Sequence, residues 1–143
     1  MTIRMAKFTL TLEEDYPFIV LGINSSAPNY RLCWHLNKAL EIALKREQPI
    51  DIHSKNGNVT AHNVFTFFDE DINLKYRFIE NKRGSSLFLP EVPKADYLLV
   101  LDETDMISIQ EVLSELNKIA LVILAFKIDM NSLKQKQNLM LTA

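Results

Sequence analysis

The amino-acid sequence predicts an α+β fold in a single domain over residues 1–143, with one mostly antiparallel sheet of about five to seven strands. Two main helices, at about 30–46 and 107–117, are expected to pack on one face of that sheet. Three observations lead to this fold. Predicted strands mostly follow one another in pairs, two segments carry apolar residues at helical spacing, and a chain of 143 residues forms one good core rather than two.

The N-terminal part begins with two predicted strands. Phe8, Leu10 and Leu12 alternate with threonines, which is typical of a strand with one buried face. Residues 16–23 are almost continuously apolar and rich in β-branched side chains, which indicates a more central strand. We expect the two strands to form a hairpin.

The first helix is predicted over 30–46 because Leu32, Leu36, Leu40 and Ala43 recur at helical spacing. The polar stretch 49–58 that follows is expected to be a loop.

A β-hairpin comes next, with strands at 64–68 and 74–79 around an acidic turn. Aromatic residues recur at every second position in both strands, so we expect these to face the core: Phe65, Phe67, Tyr76 and Phe78. The same alternation predicts that Lys75 and Arg77 face solvent.

The C-terminal half adds a strand, a helix and further strands. Residues 97–101 are apolar throughout, which predicts a central strand. Residues 107–117 carry apolar side chains at helical spacing. The apolar run 119–126 is expected to be another buried strand, and residues 139–141 an edge strand.

Composition excludes several functional classes. The three glycines, at positions 22, 57 and 84, are too far apart to form a phosphate loop or a dinucleotide-binding fingerprint. The 16 basic and 18 acidic residues give a net charge of -2, which provides no general attraction for a polyanion. The longest apolar run, 119–126, is far shorter than the roughly 20 residues of a membrane-spanning helix, so we expect no membrane partner.

The cysteine and histidine content argues against metal and cofactor chemistry. The single Cys33 cannot form an intramolecular disulfide, and we expect it to be a small apolar residue near the core. His35, His53 and His62 show no metal-ligand spacing, so we expect no metal and no cofactor. Since the N-terminal region also lacks the apolar segment of a signal peptide, we expect a cytoplasmic protein.

Residues 89–97 read Leu-Pro-Glu-Val-Pro-Lys-Ala-Asp-Tyr, and this segment resembles the signature of the bacterial IPExxxVDY family. Four residues occupy the family's places: Pro90, Glu91, Asp96 and Tyr97. Leu89 and Ala95 replace the usual isoleucine and valine, and residues 30–37 are also similar to the family's pattern. The resemblance implies a small bacterial cytoplasmic protein, and it implies no particular activity.

Glu91 and Asp96 flank a stiff elbow formed by Pro90 and Pro93. We expect these carboxylates to accept hydrogen bonds from turn N–H groups or to pair with nearby cations. The alternative is an enzyme that uses them as a general acid/base pair, which requires a pocket that shifts one of the two pKa values.

An RNA-associated accessory protein is a second functional hypothesis. Its candidate contacts are basic residues on or just after the aromatic hairpin: Lys75, Arg77, Lys82 and Arg83. Basic side chains beside aromatic rings can bind single-stranded RNA. The acidic turn at 69–71 would oppose phosphate binding there.

The sequence therefore does not define an activity, and the leading hypothesis is a noncatalytic binding or protein-interaction module. Its partner would be a protein, either a second copy of this chain or a different molecule. Tyr30, Trp34 and Phe88 are the candidate interface residues because aromatic side chains are typical interface anchors.

Overall fold

A six-stranded sheet, antiparallel between all neighbouring strands, forms the centre of the molecule. The computed structural model describes residues 17–133 and 137–142. The strands in chain order are β1 (Phe18–Asn24), β2 (Lys45–Arg46), β3 (Ile50–His53), β4 (Val59–His62), β5 (Val64–Asp69), β6 (Leu74–Glu80), β7 (Lys82–Arg83), β8 (Ser86–Leu87), β9 (Tyr97–Asp102) and β10 (Leu124–Lys127). The order across the large sheet is β10-β1-β9-β6-β5-β2, while β3–β4 and β7–β8 form separate hairpins.

The two most apolar strands lie in the interior of the sheet, as predicted. β9 pairs with β1 on one side and with β6 on the other, and β1 also pairs with β10. Leu98, Leu99, Val100 and Leu101 are fully buried although they point alternately to opposite faces, because both faces of the sheet are covered. The strand predicted at 8–12, and with it the hairpin to β1, lies outside the described residues.

Two helices, α1 (Asn29–Leu40) and α2 (Ile109–Asn117), cover one face of the sheet. Leu32 and Leu36 of α1 and Leu116 of α2 are fully buried against this face, in one cluster with the predicted aromatic pairs of β5 and β6. The prediction of a single α+β domain with two main helices on one face is confirmed.

Both helices are shorter than predicted. α1 ends at Leu40 rather than at position 46, because Glu41 adopts a left-handed conformation with φ 56° and the chain then enters β2. α2 begins at Ile109 rather than at position 107, and the hydroxyl of the N-cap Ser108 accepts a hydrogen bond from the Glu111 N–H (3.3 Å). No helix in the described part of the chain is long and apolar enough to cross a membrane.

Loops and short 3₁₀ helices, rather than α-helices, cover the opposite face of the sheet. The buried residues of this layer come from the segment after β8 and from the C-terminal region: Phe88, Leu89, Val92, Ala95, Leu133 and Leu139. They pack against sheet residues such as Val20 and Val100. The prediction that Phe88 belongs to an exposed interface is wrong, since its side chain is fully buried in this layer. An isolated aromatic residue in a turn-rich segment has no periodicity that would reveal its environment.

Three segments differ from their predicted conformation. The stretch 49–58 is not entirely a loop, because β3 lies within it and pairs with β4. The apolar run 119–126 becomes a strand only at Leu124, and this strand lies at the edge of the sheet. Residues 139–141 belong to a 3₁₀ helix (Gln137–Thr142) instead of an edge strand.

Candidate functional site

The segment between β8 and β9 forms an elbow that is held by the buried side chain of Asn81. The Asn81 Nδ2 group donates to the backbone carbonyls of Val92 (2.9 Å) and Ala95 (2.8 Å). Its Oδ1 atom accepts from the backbone N–H of Leu89 (2.8 Å). One side chain therefore satisfies three backbone groups of a buried segment that has no strand partner to do so.

Asp96 and Tyr97 attach this elbow to the loop that precedes α1. Oδ2 of Asp96 accepts from the Ser25 N–H (2.9 Å), and its Oδ1 lies 3.6 Å from the Lys82 ammonium. The Tyr97 hydroxyl donates to the carbonyl of Ala27 (2.5 Å). Burial, assisted by neighbouring carboxylates, raises the pKa of Tyr97 to about 12, which keeps this hydroxyl protonated and able to donate.

The contacts of Asp96 are the ones expected of a structural carboxylate, namely a turn N–H and a lysine. Pro90 and Glu91 lie on the exposed side of the same elbow. Of the four motif residues, Asp96 and Tyr97 thus connect the start of β9 to the loop before α1.

His62 is fully buried and uses both ring nitrogens. Its Nδ1 lies 2.7 Å from the carbonyl of Glu80, and its Nε2 lies 2.9 Å from the hydroxyl of Ser86. A carbonyl can only accept, so Nδ1 carries the proton and Ser86 donates to Nε2. Burial lowers the pKa of His62, which favours this neutral ring. His62 therefore links β4 to β6 and β8 as a buried structural group.

The described residues give little support for a metal site or for a reactive thiol. Within residues 17–133 and 137–142, no three His, Cys, Asp or Glu side chains lie close enough to hold a metal ion. Cys33 is buried in the core, as predicted, and burial raises the pKa of its thiol to about 11. A thiol with this pKa is protonated, and therefore a poor nucleophile, at neutral pH.

The four candidate RNA contacts do not form a shared basic surface. Arg77 was predicted to face solvent, but it is buried at 2% exposure, with its guanidinium 2.9 Å from the Asp102 carboxylate and 2.8 Å from the carbonyl of Thr142. The prediction failed because the C-terminal segment covers that face of β6. Two of the other three residues form ion pairs, and the third donates to a carbonyl: Lys82 with Asp96, Arg83 with Glu80, and Lys75 with Thr142.

An exposed aromatic and cationic surface lies on the outer side of α1. Tyr30 is 69% exposed and Trp34, one helical turn later, is 59% exposed. The Lys38 ammonium lies 5.1 Å from the centre of the Trp34 ring, in a cation–π contact. Arg31 is exposed beside them, and we refer to these four residues as the α1 face.

A groove of about 340 Å³ separates the C-terminal end of α1 from the N-terminal end of α2. Apolar side chains that include Leu40, Met106 and Val112 line it, and Glu111 and Glu115 lie on its α2 side. Met106 is 61% exposed. Apolar side chains, cations and carboxylates thus occur together on the outside of the helix layer.

Tyr30 and Trp34 were predicted as surface aromatic residues and are exposed, whereas the buried roles of Asn81 and His62 were not predicted. Asn81 looked like an ordinary turn residue, and His62 was considered only as a metal ligand. Both are polar residues next to strongly apolar strands. A polar residue in such a position is often buried and hydrogen-bonded, and this is the sequence feature that could have indicated their role.

The chain matches no family model, no curated protein sequence and no solved structure.

Proposed function

We propose that the protein is a noncatalytic protein-interaction module that binds its partner through the α1 face. The observation that carries the proposal is the exposure of Trp34, the single tryptophan of the chain, together with Tyr30 on the same side of α1. Such residues supply most of the binding energy at many protein interfaces.

The energy available at this surface is large for two side chains. Burial of about 150 Å² of each ring, at about 25 cal/mol per Å², would contribute up to about 4 kcal/mol per residue, from which the entropic cost of association must be subtracted. Arg31 and Lys38 add cations beside the rings, which gives the surface a preference for acidic groups.

The alternative functions have less support. For RNA binding, Arg77 is buried and Lys82 and Arg83 are engaged with carboxylates. For an enzyme with an acidic site, Asp96 is engaged with Ser25 and Lys82, which is a structural arrangement. These contacts favour the interaction module.

The proposal includes the family and the compartment. The motif at 89–97 supports membership of the IPExxxVDY family and hence a bacterial source. The single Cys33, which is buried as a free thiol, supports a cytoplasmic location.

The proposal can be tested by photo-cross-linking in cells. A photoreactive phenylalanine analogue replaces Trp34, and a control variant carries it in place of Phe68, which is 49% exposed on the opposite side of the sheet. We expect a discrete covalent adduct with a protein from position 34 and none from position 68. The absence of an adduct at position 34, or the same adducts from both positions, would contradict the proposal.

A further inference from the structure

We propose that the partner of the α1 face is a second copy of this chain, in a two-fold dimer whose interface is the helix layer. This inference rests on the proposed protein-interaction function and specifies its partner. It comes from the separation of charge between the two helices and from the way the helices lie side by side.

The two helices carry opposite charge. Residues 29–40 contain Arg31 and Lys38 and no acidic residue. α2, residues 109–117, contains Glu111 and Glu115 and no basic residue, and the loop before it adds Glu103 and Asp105. Among the ion pairs of the described residues, none joins the two helices: Glu115 pairs with Lys118. The cations of α1 and the carboxylate of Glu111 are therefore available to an outside partner.

The helices run antiparallel to each other. The groove brings Leu40, at the C-terminal end of α1, next to Ser108 and Glu111 at the N-terminal end of α2. At the other end, the Ser25 hydroxyl, just before α1, donates to the carbonyl of Leu121, just after α2 (2.7 Å). A basic helix and an acidic helix thus lie next to each other along the same surface.

This surface is complementary to itself. A second copy turned about a two-fold axis that runs between the helices, parallel to both, places α1 of each copy over α2 of the other. The rotation does not change the position along the helices. Lys38 directly precedes the α1 residues of the groove, so it then lies opposite Glu111 of the second copy. Trp34 lies one turn further along and is covered in the same contact.

A dimer of two copies of this chain explains the exposed residues on both helices. Tyr30 and Trp34 project from α1, whereas Met106 and the groove lie beside α2. In the dimer each copy supplies both kinds of surface, so the apolar residues of one helix cover those of the other. The charge pairs then determine the antiparallel register.

Sedimentation equilibrium tests the proposal on the full chain. We expect the wild-type protein to dimerise with a Kd of about 1–100 μM. Lys38→Glu alone and Glu111→Lys alone should each weaken the dimer about tenfold, because the symmetry repeats each change at two contacts. The double variant, Lys38→Glu with Glu111→Lys, restores opposite charges and should return to within about threefold of wild type.

Two further variants complete the experiment, one that removes the central aromatic residue and one that serves as a control. Trp34→Ala should weaken the dimer by about 100-fold or more. Lys94→Glu makes the same charge change at an exposed position on the elbow and should leave dimerisation unchanged. Circular dichroism of each variant checks that the fold is intact.

The proposal is overturned if the wild-type chain stays monomeric at the highest concentrations, or if the double reversal fails to restore what the single reversals weaken. A monomeric chain that still cross-links to another protein from position 34 would refute the dimer and leave the protein-interaction function standing. A failure of both experiments would refute both.

Discussion

Replacement of Asn81 by alanine should destabilise the fold more than any surface substitution. Asn81 satisfies three buried backbone groups, the carbonyls of Val92 and Ala95 and the N–H of Leu89. Without Asn81, the Ala95 carbonyl and the Leu89 N–H lose their partner, whereas the Val92 carbonyl still accepts from the Ala95 N–H (3.3 Å). Because each buried group left without a partner costs about 1–3 kcal/mol, Asn81→Ala should lower the free energy of unfolding by about 2–5 kcal/mol. This is a large part of the roughly 5–15 kcal/mol that stabilises an ordinary domain.

Asn117 provides a matched control for this prediction. Its side chain also makes three hydrogen bonds, to the carbonyls of Leu113 and Ala125 and from the N–H of Ala125, but the residue is exposed at the end of α2. These bonds are exposed or only partly buried, so water can replace part of what is lost, and Asn117→Ala should cost about 1–2 kcal/mol. Urea unfolding followed by far-ultraviolet circular dichroism measures both values.

The comparison separates burial from the number of hydrogen bonds. If the two variants lose the same free energy of unfolding, or if Asn81→Ala loses less than about 1.5 kcal/mol, the elbow does not depend on Asn81 as the buried bonds indicate. An unchanged denaturant dependence in both variants shows that the comparison concerns stability and not the extent of unfolding.

Three other substitutions or treatments have defined outcomes. Gly22→Ala should cost about 1–3 kcal/mol of unfolding free energy in the same urea assay, because its Cβ would lie 2.5 Å from the ring of Phe126, and Phe126→Leu in the same chain should recover part of the loss. Arg77→Ala should cost about 2–4 kcal/mol, since Asp102 loses the guanidinium with which it pairs and the Thr142 carbonyl is left with the Lys75 ammonium; a loss below about 1 kcal/mol would contradict this. Burial raises the pKa of Cys33 from 9.0 to about 11, so a thiol reagent at pH 8 should modify the folded protein far more slowly than the urea-unfolded chain. The unfolded chain loses this proton at a lower pH than the folded protein does. The free energy of unfolding should therefore be unaffected by this thiol below about pH 9 and should fall as the pH rises toward about 11. Equal labelling rates in the two states would refute the burial of this thiol.

The sequence predicted the fold best where one physical pattern dominates. Alternation in β5 and β6 correctly placed Phe65 and Phe78 under the helices, because side chains on a strand necessarily alternate between faces. The same rule failed for Arg77, since it assumes that the second face is in water. The coverage of that face depends on the C-terminal segment, and no local pattern near β6 reports a contact so distant in the chain.

The boundaries of α1 show a second limit. Apolar spacing continues past Leu40, yet the helix stops there because Glu41 takes a left-handed conformation and β2 pairs with β5. β2 pairs with a strand about 20 residues later in the chain, and this pairing competes with continuation of the helix. The spacing of apolar residues within the helix gives no information about such a distant partner.

The candidate surface was only partly predictable. Aromatic type alone made Tyr30 and Trp34 candidates, and the structure shows both exposed. Phe88 had the same chemical character but is buried, because exposure depends on which segment packs over a residue. The opposite charges of α1 and α2 can be read from the sequence. That they form one surface with a basic and an acidic side follows only from the packing of the two helices next to each other.

The central claim is that the α1 face is covered by protein in the cell, and hydroxyl-radical footprinting tests it most directly. Oxidation of Trp34 is compared between intact cells and dilute purified protein, with Met140, which is 50% exposed and lies outside the helix layer, as the internal reference. We predict that Trp34 is oxidised several-fold less in cells while the oxidation of Met140 is unchanged. Equal oxidation of Trp34 in both samples, relative to Met140, would contradict the account.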